Sequence, residues 1–128
     1  MEGFIIFMII FLLILSIWLM FYLDVYRYVT SDGYITSETA KDKINKNEID
    51  YIIDIRSDRE WQMGHYNTAI HIPLDELDIE EMLPDDFKEK TILIYCRSGR
   101  RARQGYNILK RMGAKKVYYI NDSYKSLN

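Results

Sequence analysis

The sequence has a single cysteine, Cys96, and only two prolines and two histidines among its 128 residues. One cysteine cannot form an intramolecular disulfide, so the cysteine content leaves the redox compartment open. The two histidines, His65 and His71, and the one cysteine show no familiar spacing of metal ligands. The sequence therefore indicates neither a structural disulfide, nor a bound metal, nor a cofactor.

Charged residues are absent from Gly3 to Leu23, a run of 21 residues in which Ile, Leu, Phe and Met predominate. This run is long enough to cross a bilayer core as one helix. A cleaved signal peptide is the competing interpretation, but no basic segment precedes the run and no small-residue cleavage site ends it. A buried core helix would show a polar face, which this run lacks. We therefore expect a membrane anchor over residues 1–23, with the lipid bilayer as its partner through residues 3–23.

Residues 24–33 are polar and aromatic, end in an Asp-Gly turn pair and are expected to form a linker. The remaining residues, 34–128, are enough for one domain with a modest core. Basic residues follow the apolar run, beginning with Arg27 and Lys41, whereas none precedes it. Because positive charge is retained on the cytoplasmic side, we expect a single-pass membrane protein with its soluble domain in the cytoplasm.

The charges are segregated along the chain, although the net charge is only -2. Residues 75–89 contain eight acidic residues and one lysine, whereas residues 90–116 contain nine lysines and arginines and no acid. We interpret part of this basic block as a solvated helix face that the acidic block balances, namely Lys110, Arg111, Lys115 and Lys116. Nucleic-acid binding would need a broader basic surface, so no nucleic-acid partner is expected.

Short apolar runs alternate with segments of helical spacing. Strands are predicted at 34–36, 51–55, 69–73, 91–95 and 116–120, and helices at 37–46, 58–63, 75–83 and 103–112. In the helix over 75–83, Leu77, Ile79 and Met82 are expected to face partly inward. This alternation is typical of an α/β domain with a small parallel sheet, right-handed crossovers and helices on both faces.

Two segments fall at the carboxyl ends of predicted strands, where open α/β sheets bind ligands. One is Asp54-Ile55-Arg56, and the other is the run Cys96-Arg97-Ser98-Gly99-Arg100-Arg101. A thiol in a tight loop before a helix N-terminus lies in a field that favours the thiolate, and loop N–H groups can hold an anion. A lone cysteine is usually a buried packing residue. The four arginines at positions 97, 100, 101 and 103 favour a reactive thiol here.

Four segments together resemble the rhodanese family, in a single-domain form with a membrane anchor. They are Ile53-Asp54-Ile55-Arg56, then Glu60-Trp61 with Gly64-His65 and Ala69 to Leu74, then Ile94 to Arg101, and last Ala114 to Ile120. The third is close to the family's catalytic loop, Cys-x-x-Gly-x-Arg. Each motif is weak alone, but their order and spacing are specific and cover roughly residues 34–120.

The resemblance implies a sulfurtransferase of the thiosulfate sulfurtransferase type. Cys96 would take sulfane sulfur from a small anionic donor such as thiosulfate, become a persulfide, and pass the sulfur to a thiol or protein acceptor. The loop residues would bind the donor, with Arg101 as the main ligand; they are Arg97, Ser98, Gly99, Arg100 and Arg101. Asp54 and Arg56 would support the site by pairing near the loop or with Glu60, as buried charges require.

The chain departs from the family pattern at residues 121–128, which lack the Gly-Gly and tryptophan closing segment, so its C-terminal helix is expected to be short or absent. Two alternative functions stay open. A cysteine-dependent phosphatase or arsenate reductase is one, although Ala102 stands where the phosphatase spacing Cys-x5-Arg needs arginine. A membrane-tethered interaction module without turnover is the other, although inactive family members usually lose the cysteine that is retained here.

Overall fold

The structure is a computed structural model that describes residues 1–29 and 33–128. The chain divides into two units, Met1–Asp32 and Gly33–Asn128. In the first unit, helix α1 (Glu2–Val29) contains the run Glu2–Leu23, which is long and apolar enough to cross a membrane. The helix continues past Leu23, so residues 24–29 are helical where a linker was expected, and the rest of that linker before Gly33 lies outside the described residues.

The second unit is built on a four-stranded parallel sheet with the strand order β2-β1-β3-β4. Its strands are β1 (Tyr51–Asp54), β2 (Ile70–His71), β3 (Thr91–Tyr95) and β4 (Lys116–Tyr119). Ile92, Leu93, Ile94 and Tyr95 of β3 are all fully buried. Successive side chains of a strand point to opposite faces, so this burial requires packing on both sides of the sheet. The predicted α/β fold with a parallel sheet is confirmed.

Helices cover both faces of the sheet, as the sequence predicts. They are α2 (Ser37–Asn45), α3 (Asp58–Gln62) and α4 (Arg100–Arg111). Helix α4 buries Ala102 and Leu109 in the core that includes Ile53 and Ile94. Helix α2 buries Ala40 in the opposite core, with Leu93 and Tyr95. Thr36 caps α2, because its side chain accepts the backbone N–H of Thr39.

Three predicted elements differ from the structure. The strand over 34–36 is reduced to a single parallel bridge between Tyr34 and Tyr119. The helix over 75–83 is replaced by two short 3-10 helices, Leu74–Glu76 and Glu80–Met82. Leu77 is buried as expected, whereas Ile79 and Met82 are 44% and 42% exposed. Helix α4 begins at Arg100 instead of Arg103, so its first turn belongs to the cysteine loop.

Residues Tyr124–Leu127 form a short 3-10 helix, where the sequence led us to expect a helix that is short or absent. Leu127 is 3% exposed and packs in the same core as Ala40 of α2. The Nζ of Lys41 donates to the backbone carbonyl of Asn128 at 2.8 Å. The end of the chain is therefore fastened to α2.

Candidate active site

Cys96 lies at the junction of β3 and α4, directly after the central strand. It is 1% exposed, and its Sγ accepts two backbone N–H groups, from Gly99 at 3.1 Å and from Ala102 at 3.3 Å. Both donors belong to the N-terminal end of α4, where the helix dipole favours negative charge. The sulfur therefore sits in a small set of donors that suits a thiolate or an anionic sulfur bound to it.

Gly99 shapes this set of donors. It is the N-cap of α4 and adopts a left-handed conformation, with φ of 98°. A Cβ added at Gly99 would overlap the side chain and the backbone of Asn121, which follows β4 by two residues. Both the conformation and the close approach of the backbone require glycine here, so the sequence prediction of a tight loop at Gly99 agrees with its geometry.

The remaining loop residues lie around the buried sulfur. Arg97, Ser98 and Arg100 are exposed, and among the described residues no carboxylate pairs with either of these two arginines. Their charges thus stand at the outer side of the loop, where they can attract anions from solution. Their predicted role in binding a donor stays a prediction.

Arg101 forms a bidentate ion pair with Glu60 of α3. Its Nη1 and Nη2 donate to Oε2 and Oε1 at 2.7 and 2.8 Å. The hydrogen bonds from Arg101, together with those from Ser57, lower the pKa of Glu60 to about 2, against the opposing effect of burial. Glu60 thus stays ionised and fixes the Arg101 guanidinium, for which the family resemblance implies a role in donor binding.

Glu60 is itself positioned by the start of α3. Ser57 caps this helix in a capping box: its Oγ accepts the N–H of Glu60, and the Glu60 carboxylate accepts the N–H of Ser57. The pattern Ser-x-x-Glu at 57–60 is the sequence signature of this device. A rigid helix start therefore holds the carboxylate that holds Arg101.

Asp54 and Arg56 form an ion pair with each other. The sequence had also allowed pairing with Glu60, but the structure does not show it. Asp54 is fully buried, and its carboxylate accepts the backbone N–H, the Nε and the Nη2 of Arg56. Nη2 also donates to the Gly64 carbonyl at 2.6 Å. Asp54 lies in register with Tyr95, the residue before Cys96. The pair therefore stabilises the edge of the sheet on which the cysteine loop is built.

Aromatic rings complete the surroundings of Arg56. Its guanidinium lies over the rings of Tyr95 and Tyr124, at 5.6 and 5.0 Å from their centroids. Burial, together with a hydrogen bond to Asp54, raises the pKa of the Tyr95 hydroxyl, which also accepts the Tyr66 N–H. Tyr124 belongs to the 3-10 helix Tyr124–Leu127, so this segment contributes to the cluster.

Trp61 stacks between two histidines, an arrangement that was not predicted from the sequence. The ring centroids are 3.4 Å apart for His65 and 4.7 Å apart for His71, with nearly parallel planes. The ring nitrogens of His65 and His71 bond to the backbone carbonyls of Trp61 and Arg56. Both histidines therefore pack and orient the segment around α3. Within residues 1–29 and 33–128, no group of three or more His, Cys, Asp or Glu side chains is placed to hold a metal ion.

The family model for the rhodanese-like domain matches residues 36–128, which is most of the chain and includes the cysteine loop, both ion pairs and the whole sheet. The chain belongs to the rhodanese-like domain family. This membership confirms the resemblance on which the sequence prediction rests.

Two curated relatives illustrate the range of rhodanese-like proteins to which the chain is similar. The "Putative sulfur carrier protein YrkF" of Bacillus subtilis is 34% identical over 86 residues, which is 67% of this chain and 45% of that protein. A tRNA uridine(34) hydroxylase of Photorhabdus laumondii is 29% identical over 92 residues, 68% of this chain and 26% of that protein. The chain spans less than half the length of these relatives.

Solved structures agree with the fold. A rhodanese-like domain protein from Staphylococcus aureus has a TM-score of 0.62 and 26% identity, covering 75% of this chain and 91% of that one. The human single domain sulfurtransferase TSTD1 has a TM-score of 0.63 and 15% identity, covering 73% and 93%. The human protein supports the fold alone, since so low an identity does not extend to function.

Proposed function

We propose that this chain is a membrane-anchored sulfurtransferase that carries sulfane sulfur as a persulfide on Cys96. The observation that carries the proposal is the buried Sγ, which already accepts the N–H groups of Gly99 and Ala102. Donors that are in place before the reaction stabilise developing negative charge without reorganisation. The rhodanese-like family and the sulfur-carrier name of the Bacillus subtilis relative support the same chemistry.

The reaction transfers one sulfur atom in two displacements. The Cys96 thiolate attacks the outer sulfur of thiosulfate; a new S–S bond forms, the old S–S bond breaks, and sulfite leaves with the electron pair. An acceptor thiolate, or cyanide, then attacks the terminal sulfur of the Cys96 persulfide. The Cys96 S–S bond breaks, and the thiolate returns with its electron pair. No net oxidant or reductant is needed.

The loop side chains take different parts in this proposal. Arg97 and Arg100, exposed at the loop, attract the anionic donor. Both terminal nitrogens of the Arg101 guanidinium already donate hydrogen bonds to Glu60. Arg101 therefore acts on the donor only as part of this ion pair. Asp54 and Arg56 form a buried ion pair that stabilises the edge of the sheet from which the cysteine loop extends. Residues 3–23 of α1 insert in the bilayer, with the domain in the cytoplasm and with a thiol or protein as the acceptor.

A phosphatase is less well supported by this geometry. At the position where a Cys-x5-Arg loop has its arginine, Ala102 uses its backbone N–H to bind the Cys96 sulfur. The buried Asp54 carboxylate is committed to Arg56, so it is not placed to protonate a leaving group. We therefore favour sulfur transfer over phosphate-ester hydrolysis.

Intact-mass analysis tests the proposal directly. The full chain in detergent is incubated with thiosulfate and separated from excess donor, and its intact mass is measured by mass spectrometry. Cys96→Ser is the matched control. We expect a gain of one sulfur, about 32 Da, on the wild type alone, reversed by cyanide or dithiothreitol. No gain from thiosulfate or from a persulfide donor, in a chain whose circular dichroism shows that it is folded, would contradict the proposal and favour an interaction module without turnover.

A further inference from the structure

One face of α4 is exposed along the whole helix and carries only basic and amide side chains. Arg100, Gln104, Asn107 and Arg111 are exposed and recur every three or four residues, which places them on one stripe, hereafter the α4 stripe. The opposite side of the helix, with Ala102, Gly105 and Leu109, is buried in the core. The stripe can therefore meet a partner without any change in the core.

The positive charge of this face is not neutralised within the domain. No acidic residue occurs from Arg100 to Arg111. Among the described residues, no carboxylate forms an ion pair with Arg100, Lys110 or Arg111; the Lys110 Nζ donates only to the Lys115 carbonyl. The paired cations of this region lie off the stripe: Arg101 is bound by Glu60, and Lys115, beyond the end of the helix, is bound by Glu89. The uncompensated charge lies on α4 itself.

The chain enters the domain beside this helix. Gly33, the first residue of the second unit, is buried, and a Cβ added there would overlap the ring of Tyr106 on α4. Tyr106 lies one turn before Lys110, on the flank of the stripe. Only residues 24–32 separate Leu23 from Gly33, a reach of at most about 35 Å even when fully extended. With an anchor that ends at Leu23, a connection of this length leaves the bilayer surface within reach of the domain.

We propose that the α4 stripe is a docking surface for anionic phospholipid headgroups. The inference rests on the proposed membrane anchor. The cytoplasmic leaflet carries negative surface potential that attracts basic residues near a membrane-spanning segment, and the attraction fades within about one Debye length, roughly 8 Å at physiological salt. The short connection at Gly33 allows the domain to reach the membrane surface, and the unpaired charges of Arg100 and Arg111 supply the attraction that holds α4 there.

RNA is a poorer match to the same charges. Single-stranded RNA is recognised largely by stacking on aromatic side chains. The one aromatic residue of α4, Tyr106, packs against Gly33 and against Tyr119, with ring centroids 5.6 Å apart for the tyrosine pair. The exposed stripe offers charge and amides without a stacking platform.

Docking of this face has a consequence for the reaction. Arg100 belongs both to the α4 stripe and to the loop that holds Cys96. With the stripe on the headgroups, the mouth of the loop opens at the membrane surface. An acceptor delivered along the membrane, rather than through the bulk solution, then reaches the persulfide most readily.

Energy transfer to labelled lipid tests the docking. The full chain carrying Asn107→Cys in a Cys96→Ser background is labelled with a fluorescent donor. It is reconstituted in vesicles of phosphatidylcholine, or of phosphatidylcholine mixed with phosphatidylglycerol, each with an acceptor on a trace headgroup. We expect transfer to rise roughly two-fold in the anionic vesicles and to return to the neutral value at high salt. A probe at Asp85→Cys, on the acidic segment, should show no such rise.

Matched charge variants separate this surface from other basic residues. Arg100→Gln with Arg111→Gln should abolish the rise, whereas Lys46→Gln with Lys125→Gln, which removes the same charge from the end of α2 and from the C-terminal helix, should retain it. Equal transfer in both lipids, or an equal rise at Asp85→Cys, would overturn the proposal. So would salt-sensitive binding of labelled RNA without any lipid response. Flotation with neutral vesicles at high salt reports the anchor separately.

Discussion

The Cys96 sulfur receives its hydrogen bonds from backbone groups, so at the residue scale the site depends on conformation more than on side-chain chemistry. Gly99 presents one of these N–H groups from a left-handed conformation, with Asn121 directly behind it. Gly113 has the same φ of 98°, but the nearest atoms to an added Cβ there belong to the flexible Lys88 side chain at 3.7 Å. The two glycines therefore form a natural pair for comparison.

We expect Gly99→Ala to be the more damaging of the two substitutions. Gly113→Ala should cost about 1 kcal/mol of unfolding free energy, from the left-handed conformation alone, and should leave sulfur uptake intact. Gly99→Ala adds the overlap with Asn121 and displaces the N–H from the sulfur, so we expect a loss of about 2–4 kcal/mol and of most persulfide formation. Denaturant unfolding and intact mass measure the two effects. Equal behaviour of the variants would contradict this role of Gly99.

Glu60 gives the domain a defined acid response. Its pKa is lowered from 4.5 to about 2 in the folded chain, so the unfolded chain binds the proton first as the pH falls. The contribution of the Glu60–Arg101 pair is therefore complete above about pH 4.5 and is lost between that pH and about 2. We expect Glu60→Gln to cost about 1 kcal/mol at pH 7, a modest value because water screens a partly exposed pair, and to cost progressively less below pH 4.5.

Thermal unfolding from pH 7 down to pH 2.5 measures this difference. Glu48→Gln is the matched control, because Glu48 is an exposed acid whose carboxylate lies 3.5 Å from Lys43. The difference in unfolding temperature between the wild type and Glu60→Gln should become smaller as the pH falls. The difference between the wild type and Glu48→Gln should stay constant with pH. A gap that stays constant with pH would show that the pair is not the cause.

At the scale of elements, the strands and the longer helices could be predicted because each carries its own periodic or apolar signal. β3 is an unbroken apolar run that is buried on both faces. The start of α4 carries no such signal: Gly99 caps the helix through its conformation and makes no side-chain hydrogen bond. The prediction consequently placed this helix too late, at Arg103, and the loop too long.

The acidic segment failed as a predicted helix for an electrostatic reason. Within the predicted helix, like charges stand four residues apart at Glu76 and Glu80, and such a pair destabilises an α-helix. Of the three apolar residues expected to face inward, only Leu77 is buried. Because only Leu77 packs in the core and the acidic side chains repel one another, the segment forms two short 3-10 helices instead of an α-helix.

The candidate site was predictable where residues are close in sequence and not where they meet through the fold. The Cys96 loop follows from its motif and its place after a strand. The partners of Arg101 and Arg56 do not, since Glu60 lies 41 residues from Arg101 and could pair with either arginine on charge alone. The capping box at Ser57 decides this choice by fixing the orientation of Glu60.

The capping box therefore links α3 to the cysteine loop, and cap removal tests the link. Ser57→Ala and Thr36→Ala each delete a side-chain acceptor at a helix N-terminus, and each should cost about 1 kcal/mol of unfolding free energy. Only Ser57→Ala also loosens Glu60 and, through it, Arg101, so it alone should slow persulfide formation. The rate of mass gain with thiosulfate measures this, and equal rates for the two variants would break the link.

On the scale of the whole molecule, charge is distributed in two ways that point in the same direction. Among the described residues, Arg100, Lys110 and Arg111 of α4 have no carboxylate partner, and this helix lies beside Gly33, where the chain enters the domain. The sequence on the N-terminal side of the apolar run has no basic residue, whereas the C-terminal side begins with Arg27. Both features suit a domain held against the negatively charged cytoplasmic leaflet.

Orientation can be tested with a cysteine on the exposed C-terminal helix. In a Cys96→Ser background expressed in a bacterial host, an impermeant maleimide should label Lys125→Cys in inverted vesicles and not in intact cells. Adding Glu2→Lys with Gly3→Lys places positive charge before the apolar run, and some chains should then be labelled from outside, because basic residues resist translocation. Glu2→Gln with Gly3→Gln changes the same positions without adding positive charge and should retain the original pattern. Labelling from outside in the unaltered background would reverse the proposed orientation and remove the anionic leaflet from reach of α4.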